Sequence, residues 1–420
     1  MTKKIWFAVL FSFMAVAASA DAPPVTAAGD GLTLRECYEL ALKRSESIAI
    51  QKEYIKETEG QLLQAFSAAL PKVAFAYSEK WQDLPHNNNF GGASPEGKFT
   101  FSQQLFAGFK EFAAIAATRH LGKQRQFDLK RARELLFTDV SDAFYLYASY
   151  QDTLDVLEQT HKALMDRVSE LQRREAIGRS RSSEVASAMA KLYSNEAAME
   201  GVRGQKNVAG ELMEFLIGRT FDKLRPEDLP SKEVLLEELF PKVAARADVL
   251  AARENLEVFR NNVTVMRAPF LPTVTLAGNS YTKRLDANEG NDWDATLAVN
   301  VPLFNGLNDF GQVKQARAQF READFQLSQA TRRALLEIRN AYTQLASSRE
   351  RLKALDRAVD GFEKNYELQM QDFQRSLVNN LDVLQAIQDL QGARSDRVTG
   401  KTDEQRAYWN LKVATGEIDL

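Results

Sequence analysis

Chemistry-bearing residues are scarce in this chain. Of its 420 residues, one is cysteine (Cys37) and three are histidine: His86, His120 and His161. A single thiol can form neither an internal disulfide nor a thiolate metal cluster. The histidines lie in three separate local contexts, and no two of them have the spacing of a metal motif. No Gly-rich phosphate loop and no Ser-His-Asp arrangement occurs. An enzyme is not expected, nor is a cofactor. The formal charge is only −3, so the basic footprint of a nucleic-acid binder is missing as well. No internal stretch approaches the ~20 apolar residues that a membrane-spanning helix needs. Proline is sparse and is absent from Lys110 to Ala176.

The one apolar run of note is N-terminal. Lys3 and Lys4 precede Ile5 to Ala18, and Ala18-Ser19-Ala20 has small residues at the cleavage-site spacing. Residues 1–20 are expected to be a signal peptide, with the mature chain starting at Asp21. No cysteine follows that would carry a lipid anchor. If the exported protein meets a membrane, strands must make the contact.

Such strands are present. Leu297, Val299, Val301 and Leu303 alternate with Ala298, Asn300 and Pro302, the period of a sheet with unlike environments on its faces. Pro302 removes a ladder donor, and Gly306 allows a sharp turn. Beyond Gly306 the period changes. Val313, Ala316, Phe320, Ala323, Leu327, Ala330 and Ala334 recur at spacings of three and four, which is a helix seam.

The same junction occurs upstream. Phe106 corresponds to Phe304, Gly108 to Gly306 and Phe112 to Phe310. One constant offset carries Ala143-Phe144 onto Ala341-Tyr342, Glu184-Val185 onto Asp382-Val383, and Gly218 onto Gly416. Leu70-Pro71 matches Leu271-Pro272 at a slightly longer offset, which places the length difference in a loop. The expected organisation is two repeats, residues 21–220 and 242–420, joined by a linker at 221–241. Each repeat reads as helix, strand, strand, long helix and return helix.

In the first repeat one helix is expected from Thr33 to Leu70, opened by the Thr33/Glu36 capping box. Strands follow at about 73–83 and 98–105, separated by a loop from Leu84 to Gly97. In the second, strands are expected at about 273–283 and 293–303. These lengths approach the ~9–11 residues that cross a bilayer when tilted. Trp81, Tyr281 and Trp293 stand near the loop ends of their strands, where aromatic residues suit a membrane interface. Four strands cannot close a barrel, so a membrane-crossing sheet requires several copies of the chain. The long helices from Lys110 to Ala176 and from Asp309 to Arg375 would each reach about 100 Å at ~1.5 Å per residue. The seam is rich in alanine, and its register slips by four residues before Ile338, Leu345 and Leu352, which unwinds a left-handed supercoil.

Taken together, the paired Leu-Pro motifs, Val301-Pro302-Leu303-Phe304-x-Gly306, Ala341-Tyr342 and Leu381-Asp382-Val383-Leu384 resemble the TolC-like outer-membrane channel family. The resemblance covers essentially the whole mature chain. It implies a mainly α fold with a β-barrel portion. Three protomers would each give four strands to a shared 12-stranded transmembrane β-barrel, continued by a long periplasmic α-helical barrel. It implies an exit duct of a tripartite efflux pump or a type I secretion system in the outer membrane of a diderm bacterium. Its partners would be a periplasmic adaptor, an inner-membrane transporter and outer-membrane lipid.

The resemblance further implies a gate at the periplasmic end. Asp382 matches the first of two acidic positions, but Gln385 occupies the second; Glu184 is the first-repeat counterpart of Asp382. The family's aromatic hydroxyl and arginine are replaced by Phe373 and Val378, so a latch here must be built differently, with Arg179, Arg181 and Arg375 nearby. A different class of protein, an exported coiled-coil scaffold or adaptor without a pore, explains the helices and the export. It leaves the four alternating strands unexplained, and release without detergent would identify it.

Overall fold

A computed structural model describes residues 31–81, 93–227, 229–230, 235–284 and 292–418. The signal segment and most of the two strand-connecting loops lie outside the described residues. The described residues form eight α-helices and four strands: α1 (Leu34–Arg44), α2 (Glu46–Ser67), β1 (Lys72–Trp81), β2 (Ala93–Ala107), α3 (Lys110–Ala176), α4 (Ser182–Ile217), α5 (Leu236–Leu239), α6 (Ala247–Arg267), β3 (Thr273–Arg284), β4 (Trp293–Asn300), α7 (Asn308–Gln374) and α8 (Asn380–Thr415). α3 and α7 are each 67 residues long, and the return helices α4 and α8 are each 36. Both return helices stop at a glycine in the left-handed region, Gly218 and Gly416.

Several boundaries differ from the sequence expectation. The helix expected over 33–70 is two helices, α1 and α2, meeting at Ser45. Ser45 ends α1 in an extended conformation, and its hydroxyl accepts the Ile48 N–H to cap α2. β2 starts at Ala93, inside the expected loop, because β1 continues to Trp81 and pairs it with Ala93. Among the described residues β3 pairs no further along β2 than Glu96, so Pro95 has β1 as its one described neighbour. β4 stops at Asn300 rather than 303, just before the donor-less Pro302, on a strand whose outer edge pairs with nothing among the described residues. Within the linker a short helix is expected over Ser231 to Phe240; the described part is Leu236–Leu239 followed by a 3-10 turn, Phe240–Ala245, and residues 231–234 lie outside the described residues.

The helices form two tiers along α3 and α7. In the tier next to the sheet the packing order is α2, α3, α6, α7; in the far tier it is α4, α3, α8, α7. Three apolar clusters hold the tiers. At mid-height, Cys37, Tyr38 and Ala41 of α1 pack on Phe137, Val140 and Phe144 of α3 and on Met213 and Ile217 of α4. Burial pushes the Cys37 thiol up to about 12, as befits a small core residue. A second mid-height cluster joins Leu239 and Val249 to Ala334, Ile338 and Leu345 of α7 and Leu411 of α8. The third closes the tip farthest from the sheet. The buried line of α7 runs Ala316, Ala323, Ala334, Ile338, Leu345, with one eleven-residue step where the register slips.

Candidate functional site

The strands form one antiparallel sheet in the order β1-β2-β3-β4. Register assigns the faces. Phe75 lies opposite Phe99, Val73 opposite Phe101, Val274 opposite Val299 and Leu276 opposite Leu297. These residues make an apolar face on which Val73, Phe75, Tyr77, Phe99, Leu297 and Val299 are all exposed. The opposite face carries Ala74, Ala76, Thr100, Ser102, Thr275, Ala277, Asn279, Asp294 and Thr296. An exposed apolar face of this extent marks an interaction surface. β1 and β4 leave open edges, which lipid does not tolerate.

The three expected interface aromatics do not share a face. Trp81 (75% exposed) and Trp293 (71%) stand on the apolar side. Tyr281 does not: it pairs with Lys98 on the polar face, its hydroxyl donates to Asp294 Oδ2 at 2.6 Å, and Lys98 Nζ lies 5.8 Å from its ring centre. Its parity in β3 is that of Thr275 and Asn279, which places it on the polar face, opposite to Trp81 and Trp293.

At both strand–helix junctions two successive residues adopt left-handed backbone. Gly108 (φ 62°) and Phe109 (φ 65°) precede α3; Gly306 (φ 58°) and Leu307 (φ 68°) precede α7. The pair redirects the chain from the sheet into a helix nearly at once. The surroundings differ. Phe106 sits in β2 and meets the Phe109 ring edge-on at 5.2 Å. Its counterpart Phe304 lies beyond β4, 81% exposed, next to Pro302 and Leu303.

The far tip contains the two helix turns. Gly178 (φ 73°) ends the first long helix and Ser376 (φ 60°) ends the second. Glu184 and Asp382, the gate candidates, occupy the same place in their return helices. Asp382 Oδ2 accepts the Asn379 N–H at 3.0 Å, and Asn379 Oδ1 accepts the Leu381 and Asp382 N–H groups in return. Glu184 Oε2 accepts from the Ser180 hydroxyl at 2.5 Å and the Arg181 N–H at 3.4 Å. Both acids therefore serve helix starts. Gln385 donates to Asp389 Oδ1 at 2.7 Å, so an acid does lie one turn beyond it.

Sequence reading missed the tip's central side chain. Arg167 of α3 is only 2% exposed. Its Nε donates to Asn380 Oδ1 of α8 at 2.8 Å, its Nη1 to Glu170 Oε2 at 3.0 Å, and its guanidinium lies 3.6 Å from the ring centre of Phe373 on α7. The signal was available: Leu157, Thr160, Leu164, Arg167 and Leu171 are spaced four and three, so the arginine interrupts a seam. By contrast Arg179, Arg181 and Arg375 are exposed and make no ion pair among the described residues.

A sheet with an uncovered apolar face, joined directly to helices of about 100 Å, is a build suited to an outer-membrane channel protein. The family model for outer membrane efflux proteins matches residues 37–219 and 243–417, and the chain belongs to that family. Relatives include the outer membrane protein TolC of Vibrio cholerae, 24% identical over 76% of this chain and 76% of its own length. The alkaline protease secretion protein AprF of Pseudomonas aeruginosa is 21% identical, covering 92% of this chain and 85% of its own. Among solved structures, the outer membrane protein VceC of Vibrio cholerae superposes with a TM-score of 0.81 at 23% identity, covering 91% of this chain and 96% of that one. The chain is an outer-membrane exit duct for efflux or type I secretion, extending into the periplasm. Among the described residues no helix is long and apolar enough to cross a membrane.

Proposed function

We propose that three copies of the chain build the duct, with β4 of each copy pairing β1 of the next to close a twelve-stranded barrel. The carrying observation is that the chain has two unlike flanks at every height. One flank presents β1, α2 and α4; the other presents β4 and α7. Unlike flanks associate head to tail, and such contacts close into a ring when the rotation permits. On α4, Val208, Leu212 and Phe215 form an exposed apolar seam at helical spacing, uncovered among the described residues. On α7, Phe325 and Leu336 are exposed and share a face.

The heights agree. A side chain at Gly210 would meet Tyr147, so Phe215 stands about level with Asp142. The counterpart of Asp142 on α7 is Asn340, one turn from Leu336. Tyr54 of α2 stacks under Arg125, whose counterpart Ala323 is two residues from Phe325. The apolar sheet face then meets outer-membrane lipid with Trp81 and Trp293 at its border, and the polar face lines the water-filled interior.

On this reading the two-part organisation is a duplication, and residues 221–241 with the end of α8 form a belt around the tube. The tip turns dock a periplasmic adaptor that connects to an inner-membrane transporter. Three copies of Asp382 form an acidic ring at the inner end that favours cations. The test is the mass of the detergent-purified protein together with planar-bilayer conductance of the same sample. A conducting trimer is expected; a detergent-independent monomer without conductance overturns the reading.

A further inference from the structure

The tip cluster contains a charged side chain in a position that packing alone would fill with leucine. Leu164, Val168 and Leu171 of α3, Val185 and Ala188 of α4, Phe373 of α7, and Val383, Leu384 and Ile387 of α8 form one apolar cluster. Arg167 lies inside it. Burying a guanidinium is costly unless its hydrogen bonds and charge are matched. Here the matching comes from α3 itself and from two other helices, α7 and α8. Asn380, 1% exposed and the first residue of α8, accepts from Nε. Glu170 accepts from Nη1 and also binds Arg174 Nη2 at 2.6 Å. The Phe373 ring covers the guanidinium and receives Arg174 as well, at 4.3 Å from its centre. Asn380 passes the link on, because its Nδ2 donates to the Glu184 carbonyl of α4 at 3.4 Å. Arg167 Nη2 is buried and finds no oxygen.

Within the apolar cluster, Arg167 is the buried charged side chain that links α3 of the hairpin α3/α4 to both helices of the hairpin α7/α8, and Asn380 extends the link to α4. A polar residue on a helix seam fixes register at some cost in stability. An arginine suits the task because its plane stacks on an aromatic ring while its edge donates in fixed directions. The two hairpins cannot part at the tip without withdrawing the guanidinium from between Asn380 and Phe373. Doing so leaves Asn380 Oδ1 buried without a donor.

We infer that Arg167 is the positioning residue that holds the two hairpins of one protomer together at the far tip, and so sets the width of the duct's inner end. This rests on the duct reading above. The exposed Arg179, Arg181 and Arg375, which pair with nothing described, have no part in it. Separating the two hairpins of a protomer at the tip then requires breaking the Arg167 contacts, whereas tilting the four-helix tip as one body does not.

The test compares Arg167→Ala, Arg167→Lys and Asn380→Ala with the wild type and with an Arg179→Ala/Arg181→Ala/Arg375→Ala control. All are purified as detergent-solubilised oligomers and measured by single-channel conductance in planar bilayers, with hydrogen exchange of the tip helices as the second readout. Arg167→Ala is expected to raise conductance severalfold and to speed exchange at 164–171 and 380–387. Arg167→Lys keeps the charge but loses the planar stack, and should fall between wild type and alanine. Asn380→Ala should resemble Arg167→Lys, and the triple control should match the wild type. A conducting wild type with an indistinguishable, correctly assembled Arg167→Ala overturns the inference while leaving the duct reading intact. Should Arg167→Ala fail to assemble, Arg167→Lys decides: wild-type conductance and exchange in that variant overturn the inference equally. A wild type that assembles but never conducts overturns the duct reading, and this inference with it.

Discussion

The strand–helix junctions are governed by single backbone torsions, and the two glycines there are not equivalent. Both Gly108 and Gly306 are left-handed, so alanine at either costs about 1–2 kcal/mol from backbone alone. A Cβ on Gly108 would also stand 2.8 Å from the Ala268 carbonyl oxygen and 3.0 Å from Ala268 Cα, whereas Gly306 has nothing within 4 Å. Gly108→Ala is therefore expected to lower the melting temperature clearly more than Gly306→Ala, and equal shifts would show that α3 and the 268–271 turn separate freely. Ser376 poses the converse case. It holds φ 60° where its counterpart Gly178 has φ 73°, so Ser376→Gly should stabilise the second tip turn by up to about 1 kcal/mol, read as a raised melting temperature. The glycines were legible in the sequence as turn signals. Phe109 and Leu307 were not, because no propensity marks a large apolar residue for positive φ; the neighbouring elements impose it. Tyr281 was legible in principle. Its parity matches Thr275 and Asn279, which puts it on the polar face with Asp294, whereas the expectation weighed only its nearness to a loop.

At the scale of elements, the helix ends carry both structure and the acidic residues at the tip. The extents of α3 and α7 were readable to within a residue or so, since an unbroken proline-free seam ends at a left-handed stop. The break at Ser45 was not readable. Apolar spacing continues across it, and only the cluster that receives α1 explains the turn. Asp382 was singled out by the family resemblance, with Glu184 as its counterpart in the first half, but its local duty came only from geometry: one carboxylate oxygen closes the Asn379 capping box. Removing the whole side chain would therefore confuse two effects. Asp382→Asn keeps an oxygen for the Asn379 N–H and removes the charge, whereas Asp382→Ala removes both. If the acidic ring governs ion preference, Asp382→Asn lowers the cation-to-anion permeability ratio while the melting temperature stays near wild type. Asp382→Ala should add a loss of about 0.5–2 kcal/mol, the usual range for an N-terminal cap interaction. An unchanged permeability ratio in both variants assigns Asp382 to the helix start alone.

Across the whole molecule, two sets of contacts decide assembly: those joining distant parts of one chain and those left over for a neighbour. Arg246, buried at the start of α6, donates to Asp248 Oδ2 at 2.7 Å, to Glu337 Oε2 of α7 at 2.6 Å and to the Ala414 carbonyl of α8 at 2.9 Å. Burial raises the Asp248 pKa, but the hydrogen bond and charge of Arg246 outweigh it and hold the carboxyl below its ordinary value. Its stabilising contribution is thus complete above an unfolded-state value of about 3.9 and is lost as pH falls through the lower folded value. Asp248→Asn should melt lower than wild type at pH 7, and the gap should close as the pH is taken well below that of a free carboxyl; a gap independent of pH refutes the linkage. The surface left for a neighbour is argued by charge insertion. Phe215 is 76% exposed and belongs to the Val208–Leu212–Phe215 seam, while Met213 and Ile217 on the inner side of the same helix are buried. Phe215→Glu therefore leaves the chain's own core intact and puts a carboxylate at the proposed contact with the next copy's α7. Helix content by circular dichroism should stay at the wild-type value while light scattering in detergent shows the trimer giving way to monomer. Leu336→Glu on the opposite flank should do the same, because the head-to-tail arrangement uses both flanks in every contact. A full trimer in both variants places the contact elsewhere and removes the height-matched flanks as the basis of assembly.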